Sequence, residues 1–300
     1  MSLRERDYDI IVAGGGLAGM IVASSAAHYS NELLRILVVD RNPLSVMGKK
    51  TMTGWICGDA VGKKSVEYMF SKYVEETSYH WVGFAMPVSE KFGSVGIGLQ
   101  YFNAGSLDNT DIRAVKNGSF NPYDMAVSLS YGRKILSDAD SIGVNLKIIN
   151  SKIVESATAF AFDFGAQSSR FMEGKLLLGF AVQNIGTSLK YETTRENLPI
   201  LVKLGSAYKI HEHWTASSDL VFPNDNSATL ALGTDYNYKI QEDMGIAGRL
   251  GYNSRGRKVD GFNGVTVGFG FLYHLTSLDY AWMPLGDLGS THRISVGVKF

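Results

Sequence analysis

From Trp81 to Phe300 apolar residues alternate one for one with small or polar residues. Val95, Ile97, Leu99 and Tyr101 interleave with Ser94, Gly96, Gly98 and Gln100. Val127, Leu129 and Tyr131 interleave with Ala126, Ser128 and Ser130, and Ile142, Val144, Leu146 and Ile148 with Gly143, Asn145 and Lys147. The same period recurs at Phe160–Phe164, Leu176–Gln183, Val265–Leu272 and Ile294–Phe300. A strand sends successive side chains to opposite faces, so a period of two predicts antiparallel strands with one apolar face. Turn residues separate the runs at Ser89-Glu-Lys, Ser137-Asp-Ala-Asp, His211-Glu-His, Pro223-Asn-Asp-Asn and Gln241-Glu-Asp. The pattern predicts a mainly β chain of about 12–14 strands.

Runs of about 9–12 residues are long enough for a tilted strand to cross a bilayer. Short turns alternate loosely with longer polar connections, Gly105 to Pro122 and Asn253 to Asn263, as in an outer-membrane-type up-and-down barrel. A soluble β-sandwich or propeller alternates in the same way, and the face that is buried decides between them. If the barrel reading holds, Val95, Ile97, Leu129, Val144, Leu178, Val267 and Val296 face lipid, while Ser128, Asn145 and Gln183 face inward. The aromatic carboxy terminus, Phe300, is a frequent ending of bacterial barrels.

Several separated segments, in order, resemble PorV-like outer-membrane proteins: Ala157 to Gly165, Gln183 to Thr187, Leu198 to Gly205, and Leu278 to Gly289 followed by Thr291 to Ser295. The resemblance implies a non-enzymatic barrel in transport, or a scaffold for protein export and surface attachment. Its partners would be outer-membrane lipid and export-machinery proteins. The start of that family is missing, so imperfect closure is expected near Trp81 to Val88. Asp279, Asp287 and Arg293 read as a salt-bridged turn, and His80, His211, His213, His274 and His292 give no metal spacing.

Residues 1–78 carry a different pattern. An apolar run, Asp7 to Val12, leads into Gly14, Gly16 and Gly19 at GxGxxG spacing. A helix over 17–29, a second strand at 35–39 and Asp40 complete an incomplete Rossmann-like βαβ order. The glycines permit a tight turn and close approach of a pyrophosphate, and the acid can accept from a ribose hydroxyl. Lys49 to Lys63, with Cys57-Gly58-Asp59-Ala60, resembles the flavin loop of archaeal geranylgeranyl reductases. That resemblance implies FAD, with Ala18 and Asp40 at its nucleotide part and Cys57, Gly58 and Ala60 along the flavin. It fades near Val74, and the second flavin segment has no counterpart downstream, so weak or absent FAD binding is expected. The alternative function is an FAD-dependent reductase of prenyl lipids. The two parts divide at 78/79, a partial dinucleotide-binding segment and a PorV-like barrel.

Composition narrows the choices. Lys+Arg and Asp+Glu are both 29, which argues against a nucleic-acid partner held by bulk charge. A single cysteine excludes an internal disulfide framework. Arg4, Arg6 and the run Ala23 to Ala27 imitate a signal peptide only weakly. The barrel points to the outer membrane, the flavin-like segment to the cytoplasm.

Overall fold

The computed structural model describes Val12–Ala13, Val38–Val39 and residues 64–300, apart from 73–76, 90–91, 111–115, 136–139, 154, 193–194, 242 and 255–263. Strands β1 (Val12–Ala13) and β2 (Val38–Val39) pair in parallel. The glycine turn, the expected helix and all the flavin-related positions, Gly14, Gly16, Ala18, Gly19, Asp40, Cys57, Gly58 and Ala60, lie outside the described residues.

The rest is β. β3 (Ser65–Lys72), β4 (Ser78–Ser89) and β5 (Gly93–Asn103) form a meander, and β6 (Leu107–Thr110) and β7 (Lys116–Phe120) a separate small hairpin. β8 (Tyr123–Lys134), β9 (Asp140–Lys152), β10 (Ser156–Phe171) and β11 (Leu176–Gly186) continue the wall. β12 (Leu189–Lys190) and β13 (Arg195–Glu196) make a second small hairpin. The wall resumes with β14 (Leu201–His211), β15 (Trp214–Pro223), β16 (Thr229–Gln241), β17 (Met244–Asn253), β18 (Val265–Tyr273), β19 (Thr276–Pro284) and β20 (Ser290–Lys299). Fourteen of these strands close into one antiparallel barrel, within the range the periodicity predicts.

Closure is complete, which corrects the expected gap. β20 pairs with β3 from His292↔Lys72 to Lys299↔Ser65. Lys64 and Phe300 exchange two backbone hydrogen bonds of 2.9 Å at the seam. The missing partner was present in the sequence: Val66, Tyr68 and Phe70 alternate with Ser65, Glu67, Met69 and Ser71. That run stands among residues assigned to the flavin-like part, so the barrel starts upstream of the expected boundary. Closure leaves no edge strand with unpaired amides.

The two faces are sorted as a membrane barrel requires. Leu129 is 61% exposed and Ile97 53%, whereas Ser128 is 2%, Asn145 1% and Gln183 0% exposed. A soluble sandwich would show the reverse, because apolar area removed from water is its main source of stability. The connections at 90–92, 135–139, 172–175, 212–213, 242–243 and 274–275 all sit at one end and are short. At the other end the connections at 104–122, 187–200 and 254–264 are long, and those at 73–77, 153–155, 224–228 and 285–289 are short. Outward aromatics stand near both ends, Trp214, Tyr236, Tyr238 and Tyr273 at the short-turn end and Phe222 with the half-buried Tyr123, Tyr252 and Trp282 toward the long-loop end. Rings of this kind suit the two headgroup regions of a bilayer.

Candidate functional site

The inward side chains of the barrel wall form the candidate site, and they divide it into two arcs. One arc, β9 to β20, carries charge: Lys147, Asp163, Lys203, Asp219, Asp235, Arg249, Asp279 and Arg293 are all buried on the inner face. Four of these are cations and four anions, so the set is balanced. The facing arc, β3 to β5, carries Met69, Tyr79, Trp81, Ala85 and Phe102 in one buried apolar cluster. At the long-loop end, Leu189 of the β12–β13 hairpin and Leu198 pack against Ala126, Ile149 and Ala157. Tyr191 Oη donates to Ser151 Oγ at 2.8 Å and ties this hairpin to the rim of the wall.

The charged arc is built around two nodes. In the first, Lys147 Nζ lies 2.7 Å from Asp163 Oδ1, both side chains fully buried. Asn145 Nδ2 donates to Asp163 Oδ2 at 3.0 Å, and Ser130 Oγ donates to Asn145 Oδ1 at 2.7 Å. Lys147 Nζ also donates to Asn184 Oδ1. The geometry depends on a bulge. Phe162 pairs with Ile185 and Phe164 with Val182, so Gln183 and Asn184 together face the single residue Asp163. Asn184 takes φ 62, a left-handed conformation that asparagine tolerates better than most side chains. Its backbone N–H, freed from the ladder, donates to Asp163 Oδ1 at 2.8 Å. One carboxylate thus satisfies an ammonium, an amide side chain and an orphaned backbone donor, as burial requires.

The second node spans three strands. Arg249 Nη1 of β17 lies 2.5 Å from Asp279 Oδ1 of β19, and the side chains are 1% and 4% exposed. Between them, β18 contributes Gly270. A Cβ there would stand 2.6 Å from Asp279 Oδ1 and 3.1 Å from the Arg249 guanidinium. Glycine is the seat on which the ion pair rests. Gly270→Val should therefore unseat the pair and lower stability by about 1–3 kcal/mol, an overpacking cost. Urea unfolding of the detergent-folded barrel measures this.

The node corrects one expectation: Asp279, Asp287 and Arg293 do not form a salt-bridged turn. Asp279 reaches Arg249 across β18, and Arg293 is buried on the inner face opposite Ala281. Asp287 sits exposed in a 3-10 turn, Gly286–Leu288. Asp279 and Arg293 stand within β19 and β20, on either side of the turn that holds Asp287. Among the described residues no cluster of metal-ligand type is found. His80 and His292 instead accept or donate with tyrosine hydroxyls on the outer face, Tyr68 at 2.9 Å and Tyr280 at 2.7 Å.

Sequence reasoning missed Lys147, Asp163, Asn184, Lys203, Asp219, Asp235 and Arg249 as a set. A signal existed: each charged member stands on the small or polar face of an alternating run. What the run could not show is which charges meet, because register across three strands and a bulge sets the pairs.

No family model matches the chain. The digeranylgeranylglycerophospholipid reductase of Sulfolobus acidocaldarius is 26% identical over 144 residues, 48% of this chain and 26% of that protein. The chain thus spans about a quarter of the length of that curated relative. Among solved structures, the toluene transporter TodX of Pseudomonas putida is similar with a TM-score of 0.53, 10% identity and 98% coverage of both chains. A FadL homologue of Pseudomonas aeruginosa has a TM-score of 0.51 and 10% identity, with 96% of both chains covered. At such identity the likeness is one of fold: this chain shares the closed-barrel architecture of these two proteins.

Proposed function

We propose that the chain is an outer-membrane barrel of the channel type that admits small solutes to its lumen, with short turns in the periplasm and long loops outside. The observation that carries this reading is the inverted sorting of the wall: aliphatic side chains outside, charged and amide side chains inside. An apolar belt between aromatic rings fits a bilayer, and a polar inner wall fits a channel interior. The solved transporters of the same fold support the reading. The apolar cluster at Met69, Tyr79, Trp81 and Phe102 supports solutes with an apolar or aromatic body.

The test is reconstitution of the full chain into phospholipid vesicles. Folding is checked by the heat-dependent gel shift of closed barrels, and permeation by swelling in small neutral and aromatic solutes. Swelling above protein-free vesicles is expected. A chain that is folded in buffer without detergent would overturn the membrane reading.

The PorV-like resemblance supports a finer alternative, a scaffold for exported proteins. The β12–β13 hairpin packed at the long-loop rim favours it, since a capped lumen would hold a partner rather than pass a solute. A folded barrel that admits no solute would point to that use. Neither reading involves catalysis. Both expect weak or absent flavin, which the visible absorption of the purified chain checks against the reductase alternative.

A further inference from the structure

The outer face is not uniform around the barrel. At the long-loop end, one register row runs through His292, Lys72, Ser78, Asn103, Tyr123 and Lys152 on successive strands. Lys72, His292 and Lys152 are exposed, and they alternate with the buried inward residues Ser71, Thr291 and Ser151. The next outward row toward the barrel middle holds Phe70, His80 and Tyr101, again paired in register. The His80 ring lies tilted at 5.1 Å from Phe70 and 6.4 Å from Tyr101, and Tyr101 lies 5.8 Å from Tyr123. The row below that is mostly aliphatic, with Val82, Leu99 and Val127 in register beside Tyr68. Charge, aromatic ring and aliphatic chain follow one another down the wall. No carboxylate of the described residues stands in either upper row; Glu155 lies in the turn beyond Lys152. Among the described residues the other arc shows no matching basic row: the corresponding end of β11 and β14 to β18 shows Ile185, Ile200, Phe222, Leu230, Tyr252 and Val265.

We propose that this arc, β20 to β9, is a binding site for a phosphorylated glycolipid of the outer leaflet. The inference rests on the membrane reading above. The lysines lie four strand spacings apart, about 19 Å, a width suited to a large headgroup rather than a single phosphate. Lys72 and Lys152 supply charge for phosphate groups. The tyrosines and histidines beneath offer flat faces and hydroxyls to sugar, and the aliphatic rows take the acyl chains. Charge complementarity and the layered order select this occupant over a second copy of the chain, which would gain nothing from exposed ammonium groups facing their like.

The experiment uses the full chain folded in detergent, incubated with bisphosphorylated lipid A or its dephosphorylated form and read by native mass spectrometry. The wild-type barrel should retain the phosphorylated lipid and not the dephosphorylated one. The double variant Lys72→Gln/Lys152→Gln should lose retention by about twenty-five-fold, from roughly fivefold per lysine at a charged membrane surface. The control Lys64→Gln/Lys175→Gln, at the short-turn end, should match the wild type. Equal retention by both double variants, or equal retention of the dephosphorylated lipid, overturns the site. The heat-dependent gel shift is recorded for every variant, so a folding defect is separated from lost binding. Failure of the wild type to form a barrel in detergent sinks the membrane reading and this site with it.

Discussion

Replacing Asp163 by alanine lowers the stability of the folded barrel by about 3–5 kcal/mol, the usual cost of stranding one member of a buried ion pair. The carboxylate holds Lys147 at 2.7 Å and caps the freed backbone N–H of Asn184 at 2.8 Å, with no exposure on either charged side chain. Without it a buried ammonium loses its carboxylate, and the bulge loses the group that satisfies its amide. The double variant Lys147→Met/Asp163→Leu separates these two losses. It removes both charges, so it should recover most of the ion-pair cost and leave about 1–3 kcal/mol for the orphaned amide. Equilibrium urea unfolding in vesicles gives all three values. A single alanine variant within 1 kcal/mol of wild type, on the scale of an exposed pair, would show that water reaches the node.

An arginine at Leu129 costs about 2–4 kcal/mol, and one at His292 about 0–1 kcal/mol, in the same assay. Leu129 is 61% exposed near the middle of β8, in register with Ile97 and Leu146 on either side. In hydrocarbon a guanidinium there must snorkel or draw water after it. His292 stands in the upper row beside Lys72, where headgroups and water accept a cation. Val267 lies nearer the long-loop end of its strand, so its arginine should fall between the two. A soluble barrel gives the opposite order of size: an exposed leucine exchanged for arginine changes its stability by less than about 0.5 kcal/mol.

The strands were legible because alternation is a local property. Leu129 between Ser128 and Ser130 already fixes which side chain points where, whatever the neighbours are. The total of fourteen strands depended on recognising β3, and there local reading was outweighed by context: Ser65 to Lys72 alternates as cleanly as the rest but follows a segment with a flavin-like motif. The two arcs of the lumen were not legible. Lys147 and Asp163 meet as diagonal neighbours on antiparallel β9 and β10, and the bulge at Gln183 and Asn184 on β11 brings the third strand into the node. Arg249 and Asp279 meet only because Gly270 lies between them, a relation with no trace in the spacing of three residues on three strands.

The seam between β20 and β3 has a consequence for how the barrel comes into being. Every other contact in the wall joins segments that follow one another along the chain, at most across a small hairpin, so those pairings close short loops. The pair His292↔Lys72 encloses nearly the whole wall. Loop closure becomes dearer in entropy as the loop lengthens, and non-local pairings set the pace of folding. The wall should therefore zip from hairpin to hairpin into a curved ribbon first, with docking of the last strand as the slow committed step. Until Phe300 reaches Lys64, both border strands present bare amides and carbonyls to any complementary chain. The carboxy-terminal strand is thus the point at which an assembly factor could govern the whole process, by holding one border until the other arrives.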